Sequence, residues 1–239
     1  MDTLILGHKG MLGHMVQFFL QKKSVNITTT DLKFPSQEFK DLVSEYKGDY
    51  IINCIGAIPQ KTKIFEINYD LPAWLEENAR RRVIHPGTDC EMDDDDYGTS
   101  KKKATDFIKL KRNKTKILKS SIIGPELNSK FSLMEWLLSS EDQVFGYSKA
   151  MWNGNTTLEW AKNCYELMLN WETYDIETVL EGECLSKYSL LKTIKDVFSK
   201  EISILAKEEF KCNKCLRGEI KTKSIENQLQ DLKTEYYNK

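Results

Sequence analysis

Apolar positions along the first half of the chain follow two alternating rhythms. Continuous or β-branched runs at residues 3–6, 25–30, 50–56 and 83–88 predict strands. The unbroken apolar run at 50–56 fits a parallel strand covered on both faces. Between the runs, apolar residues recur at helical spacing. Met11, Leu12, Met15, Val16, Phe19 and Leu20 form one stripe, and Phe39, Leu42, Val43 and Tyr46 form another within 36–47. A third stripe, Phe65, Ile67, Leu71, Trp74 and Leu75 within 64–82, carries Pro72, which predicts a kink or restart. Strands alternating with helices predict βαβ units with right-handed crossovers and a parallel sheet. Ligands of such sheets bind at the carboxyl ends of the strands, here Gly7, Asp31, Cys54 to Gly56, and Thr88.

The second half is less regular. Residues 115–123 predict a strand, 131–139 a short helix, and 156–170 an amphipathic helix with Leu158, Ala161, Tyr165 and Met168 on its core face. A run at 176–180, a helix at 189–199 and a strand at 202–205 complete a smaller α/β lobe. The polar ending, 222–239, predicts fraying of the last residues. No internal repeat is visible.

Composition narrows the partners. The chain has 239 residues, 35 basic and 36 acidic, for a net charge of −1. That balance gives no global field for nucleic acid or an anionic membrane. No segment has the apolar length of a membrane span, and the chain opens on a strand rather than a signal peptide. Six scattered cysteines read as reduced thiols, hence an expected cytoplasmic location. Cys212 and Cys215 form a lone C-x-x-C with no second pair or nearby histidine, so no metal site is expected.

The candidate chemistry starts with Gly7, Gly10 and Gly13, spaced G-x-x-G-x-x-G between the first strand and first helix. In a strand–turn–helix the first glycine permits a tight turn, the second lets backbone approach a pyrophosphate, and the third packs helix on strand. The helix N-terminus offers free N–H groups to the phosphates. Asp31, eighteen residues beyond Gly13, can accept the hydroxyls of an adenine ribose and so favours NAD(H). Lys9 and Lys33 can instead reach a 2′-phosphate, which leaves NAD(H) or NADP(H) open. The acidic run 93–96 caps the next helix, on which Tyr97 and Lys101 lie four apart and share a face. A phenol has a reference pKa of about 10, and a neighbouring ammonium stabilises its phenolate, so Lys101 is expected to make Tyr97 a usable acid. Thr88, at a strand end, is placed to hydrogen-bond the same carbonyl oxygen.

These residues together resemble the extended short-chain dehydrogenase/reductases, and more narrowly the dTDP-4-dehydrorhamnose reductase group. Residues 6–13 resemble the cofactor loop and 53–58 the third-strand signature. Ile67-Asn68 with Leu71-Pro72 resembles the following helix, 87–90 the catalytic threonine segment, and 97–101 the Y-x-x-x-K motif. Residues 120–126 resemble the strand end beside the nicotinamide; 152–158 and 224–229 resemble later stretches. The fold so implied is α/β, a Rossmann-like doubly wound parallel sheet with a small C-terminal α/β substrate lobe. A dinucleotide-binding core spans 1–125, and a mixed region, 126–239, holds the lobe and returning core elements.

The resemblance implies catalytic roles for Thr88, Tyr97 and Lys101. It implies cofactor contacts from Gly7, Lys9, Gly10, Met11, Leu12, Gly13, Asp31, Leu32, Cys54, Ile55, Gly56, Tyr97, Lys101, Ser121 and Ile122. Asp89, Trp152 and Asn153 are the candidate substrate contacts; for Trp152 packing within the lobe is the competing reading. The implied activity is NAD(P)H-dependent reduction of a 4-keto-6-deoxy sugar nucleotide in deoxysugar or polysaccharide biosynthesis, with a homodimer as the candidate assembly and the oligomeric state open. A nucleotide-bound regulatory subunit, or a sugar-nucleotide epimerase or dehydratase, are the alternatives. One departure stands out. Tyr97 follows Thr88 by nine positions, fewer than in the group, which predicts a more open rim at the sugar site.

Overall fold

The computed structural model describes residues 1–238. Its first elements are β1 (Asp2–Leu6), α1 (Met11–Lys22), β2 (Asn26–Thr30), α2 (Gln37–Glu45), β3 (Tyr50–Asn53), α3 (Ile67–Asn78) and β4 (Arg82–Gly87). A one-turn 3₁₀ helix (Asp89–Met92), α4 (Asp96–Lys111) and β5 (Thr115–Lys119) follow. Then come β6 (Ile122–Ile123), α5 (Leu133–Ser139), β7 (Gln143–Trp152), β8 (Asn155–Thr156), α6 (Thr157–Leu169) and β9 (Glu177–Glu181). The chain closes with β10 (Leu185–Ser186), α7 (Lys187–Phe198), β11 (Ser203–Lys214), β12 (Ile220–Lys221) and α8 (Ile225–Leu232). Contacts divide it into two compact units, residues 1–119 with 161–178, and residues 120–160 with 179–239.

The first unit is the alternating α/β layer that the apolar rhythm predicts. β1 pairs in parallel with β2 on one side and β3 on the other, and β4 and β5 continue the order. Next to β5, the Ile117 N–H donates to the Ile176 carbonyl (2.7 Å) at the entrance to β9. In the second unit β12 pairs with the end of β9, Ile220 opposite Leu180. The full strand order is β12-β9-β5-β4-β3-β1-β2. All four β3 residues are buried, as a strand covered on both faces requires. Leu4, Leu6 and Ile51 meet Phe39 and Val43 of α2 and Leu71 and Leu75 of α3 in one cluster. Each such side chain contributes about 1.5–3 kcal/mol by burial. α3 runs through Pro72 and ends at Asn78, shorter than 64–82, because Ala79 turns extended (ψ 142°) and Arg82 already belongs to β4.

In the second unit β7 lies between β10, antiparallel, and β11, parallel. Two expectations change here. The strand predicted at 202–205 is β11, twelve residues long and mostly exposed, with charged residues that concealed it. The polar ending does not fray early: α8 buries Ile225, Gln228, Leu229 and Leu232. Tyr237 still donates to Glu135 Oε1 (3.1 Å). The reduced-thiol reading is corrected as well. Cys184, just before β10, and Cys215, just after β11, are joined in a disulfide because both strands flank β7. Cys54, Cys90, Cys164 and Cys212 form no disulfide among the described residues.

Candidate active site

Parallel register brings the strand ends of the first unit to one edge. Leu6 lies opposite Thr30 and Asn53, and Ile52 opposite Ile84. From that edge the loop after β1 turns at Gly7, whose φ of +78° favours glycine. A Cβ on Gly13 would stand 2.2 Å from the Gly7 carbonyl oxygen, so the third glycine is what lets α1 start against the turn. Gly10 is exposed and precedes α1 with no side-chain cap, and the first turn of α1 carries no acid. The N–H groups of Met11, Leu12 and Gly13 head that turn, where a helix offers such donors no internal acceptor and its dipole is positive. This donor set, with backbone access at Gly10, fits a dinucleotide pyrophosphate.

Asp31 is exposed and ion-paired with Lys9, Nζ to Oδ1 2.6 Å, and His8 Nε2 stands 3.9 Å from the same oxygen. The Lys9 hydrogen bond, before any other influence, holds the Asp31 carboxyl below its usual range. The residue that would accept ribose hydroxyls and the one that would reach a 2′-phosphate therefore form one pair. Leu32, also exposed, donates its N–H to Thr30 Oγ1 (3.1 Å).

After β3, Asn53 is buried. Its Oδ1 accepts the Ile55 N–H (3.1 Å) and its Nδ2 faces His85 Nδ1 (3.2 Å). Burial, then the Lys101 charge, keeps His85 well below its usual pKa, so it is neutral. Burial alone pushes the Cys54 thiol up to about 12. Asn68 of α3 clamps the next stretch: its Oδ1 accepts from Ala57 N (2.7 Å) and its Nδ2 donates to Ala57 O (3.0 Å) and Ser100 Oγ (3.2 Å). Gly56 lies beside this clamp; a Cβ there would stand 3.4 Å from Lys101 Nζ.

Thr88 follows β4 and caps the 3₁₀ turn. Its Oγ1 accepts from Cys90 N (3.3 Å) and donates to Asp89 Oδ1 (3.1 Å), and its N–H donates to Glu91 Oε1 (3.0 Å). Asp89 is buried. Asp95 accepts from Gly98 N (2.6 Å) and starts α4, as the acidic run predicts. Tyr97 is half-buried with Phe65 edge-on to its ring (centroids 5.7 Å apart). Lys101 is buried, and its ammonium has no hydrogen bond or ion pair among the described residues. Burial lowers its pKa, against the pull of Glu91 and Cys90.

The expected acidification of Tyr97 by Lys101 is not what the structure gives. Burial raises the phenol, and Cys90, Asp89, Asp95 and Glu91 raise it further. The short turn between Thr88 and α4 brings those acids against the phenol, while Lys101 reaches toward Gly56. Tyr97 is thereby held protonated.

The remaining candidates belong to the second unit, where their polar atoms are satisfied. Trp152 is 5% exposed and its Nε1 donates to Ser121 Oγ (2.7 Å). Ile122 pairs with Asn155 in the short β6–β8 sheet. Asn153 Nδ2 donates to Leu216 O (2.7 Å) and its Oδ1 accepts from Leu216 N (2.8 Å). Sequence reasoning did not single out His85 or Glu91. For Glu91 a signal existed: Thr88-x-x-Glu91 is the spacing of a capping box.

No protein-family profile matches the chain, and no curated protein matches it. Solved structures do. A dTDP-4-dehydrorhamnose reductase from Bacillus anthracis, in complex with NADP, is similar over 98% of this chain and 99% of its own, with TM-score 0.81 and 16% identity. A UDP-glucose 4-epimerase from Thermotoga maritima, with UDP-glucose, matches over 100% and 99% (TM-score 0.74, 13% identity). A dTDP-glucose 4,6-dehydratase from Bacillus anthracis, in complex with NAD, matches over 100% and 97% (TM-score 0.71, 12% identity). The chain thus has the fold shared by these nucleotide-sugar reductases, epimerases and dehydratases.

Proposed function

We propose that this protein is an NAD(P)H-dependent reductase of a 4-keto-6-deoxy sugar attached to a nucleotide. The observation that carries the reading is the placement of Tyr97 and Lys101 four residues apart on α4, one short turn after Thr88. A reductase needs a proton donor at that place; an epimerase must first use the same group as a base. The substrate class is proposed by analogy with the nucleotide-sugar enzymes that share this fold.

NAD(P)H held at this site would supply the hydride for the sugar carbonyl carbon. The chain's own residues do the rest. The α1 N-terminus and Gly10 receive the pyrophosphate, and the Lys9–Asp31 pair meets the adenosine ribose. Thr88 exchanges its bond to Asp89 for one to the carbonyl oxygen and orients it. Tyr97 would give its phenolic proton to the emerging alkoxide, and Lys101, buried beside Gly56, would hold the nicotinamide ribose.

The shortened turn favours a second reading, a nucleotide-bound regulatory subunit with little turnover. Oxidation of NADH and NADPH, followed with a panel of 4-keto-6-deoxy sugar nucleotides, separates the readings. Net consumption with any member supports the reductase. Cofactor binding without consumption favours the regulatory subunit, and product formation without net consumption favours an epimerase or dehydratase.

A further inference from the structure

The turn after Thr88 is tied into a chain of charges that the catalytic residues do not account for. Glu91 is buried, its side chain 5% exposed, and its two oxygens do different work. Oε1 accepts the Thr88 N–H (3.0 Å); Oε2 pairs with Lys119 Nζ (2.8 Å) at the end of β5. Lys119 in turn pairs with Glu177 Oε1 (2.6 Å), and Glu177 Oε2 with Lys109 Nζ (2.5 Å) on α4. The carboxylates outweigh burial and hold Lys119 above its usual range. The line Thr88–Glu91–Lys119–Glu177–Lys109 thus starts at β4, crosses β5 and β9, and returns to the helix that carries Tyr97 and Lys101.

A single turn capped by a neutral hydrogen bond would leave Thr88 free to swing with its loop. A buried carboxylate held by an ammonium removes that freedom, because breaking either bond strands a buried charge. Charge-assisted bonds are also the shorter and stronger ones. Glu91 therefore does for the short Thr88–Tyr97 segment what added chain length would otherwise do by packing. Its charge also acts on the two other groups of the site. The charges of Asp89, Cys90 and Glu91 in the turn and of Asp95 at the helix cap raise the Tyr97 phenol, and Glu91 and Cys90 act on Lys101, whose own charge lowers His85.

We infer that Glu91, anchored by Lys119, is a positioning residue that fixes Thr88 for carbonyl orientation and sets the charge around Tyr97 and Lys101. The inference rests on the reductase reading, and its test separates the two. Glu91→Ala removes both the cap acceptor and the charge; Glu91→Gln keeps an acceptor for the Thr88 N–H but removes the charge. Three measurements are made on the full chain: hydrogen exchange of the peptide spanning residues 86–97 without cofactor, NAD(P)H affinity, and turnover against pH.

Glu91→Ala is expected to speed exchange in that peptide and to lower kcat by about 10- to 100-fold, with cofactor affinity unchanged. Glu91→Gln, a neutral cap that no longer pairs with Lys119, should speed exchange less than Glu91→Ala but more than wild type. Loss of a negative neighbour makes Tyr97 and Lys101 easier to deprotonate, so its alkaline limb of activity should move to lower pH. A merely structural role would lower the melting temperature and leave kcat and the pH limb in place. That outcome, or unchanged exchange in folded Glu91→Ala, overturns the inference. If Glu91→Ala does not fold, the Glu91→Gln pH limb decides. A wild-type protein inert toward the whole panel defeats the reductase reading itself, and the exchange result then decides alone whether Glu91 holds Thr88.

Discussion

Replacing Gly13 by alanine tests how the cofactor loop is built. Gly13 lies inside α1, where alanine is the better helix former by about 0.5–1 kcal/mol. Against that gain, the new Cβ would meet Gly7 O at 2.2 Å, Gly7 C at 2.8 Å and His8 Cα at 2.9 Å. All three are backbone atoms, so no rotamer relieves the overlap and the loop must lift from the helix. Overpacking of this kind costs about 1–3 kcal/mol, which cancels the propensity gain and leaves a net loss of up to about 2.5 kcal/mol. The lifted loop also moves away from the N–H groups that would receive the pyrophosphate. Gly10→Ala is the matched control. Gly10 has a φ of −80°, which any residue adopts, and its Cβ would meet only Gly7 O at 3.3 Å and Cys54 O at 4.0 Å. Urea unfolding and NADPH fluorescence titration read the two variants. Gly13→Ala should lose stability and affinity together, and Gly10→Ala affinity with little stability. A Gly13→Ala protein as stable as wild type, or a Gly10→Ala protein with undiminished affinity, would refute the assigned division of labour.

Three further outcomes are expected. Lys9→Ala frees Asp31 to accept ribose hydroxyls and leaves a 2′-phosphate facing a carboxylate, so the ratio of NADH to NADPH affinity should rise severalfold in parallel titrations. Glu181, held at about 2 by its hydrogen bond with Lys221 and by the Gly218 N–H, contributes stability above the ordinary carboxylate range and loses it as pH falls toward 2. The stability gap between wild type and Glu181→Gln, read by denaturant unfolding, should therefore be full near neutrality and close between about pH 4.5 and 2. Reducing Cys184–Cys215, which are 31 residues apart, should cost about 3–4 kcal/mol on the chain-entropy account, read as an earlier unfolding midpoint with reductant.

What could be read from the residues follows burial. β1 and β3 are covered on both faces, so their apolar runs announce them, and the glycine spacing between β1 and α1 places the turn. β7 and β11 belong to a three-stranded sheet with solvent on much of its surface. Stretches such as Lys207-Glu208-Glu209 therefore carry no strand-like pattern. The disulfide was hidden because its two cysteines meet only through that sheet. At the candidate site, Thr88, Tyr97 and Lys101 were singled out by type and spacing. Their electrostatics were not legible, because a four-residue spacing says nothing of which acids a short turn will pack against the phenol. Glu91 announces its cap in the sequence, whereas its partner Lys119 comes from the end of a different strand.

The central claim is that Tyr97 is the proton donor of a reductase. The most direct measurement is turnover of NADPH and NADH with the 4-keto-6-deoxy sugar nucleotide that wild type consumes, made on wild type and Tyr97→Phe side by side with cofactor titrations. Phenylalanine keeps the ring against Phe65 and removes only the hydroxyl. Turnover should fall by about two orders of magnitude with cofactor affinity intact. Near-normal turnover in Tyr97→Phe would contradict the account.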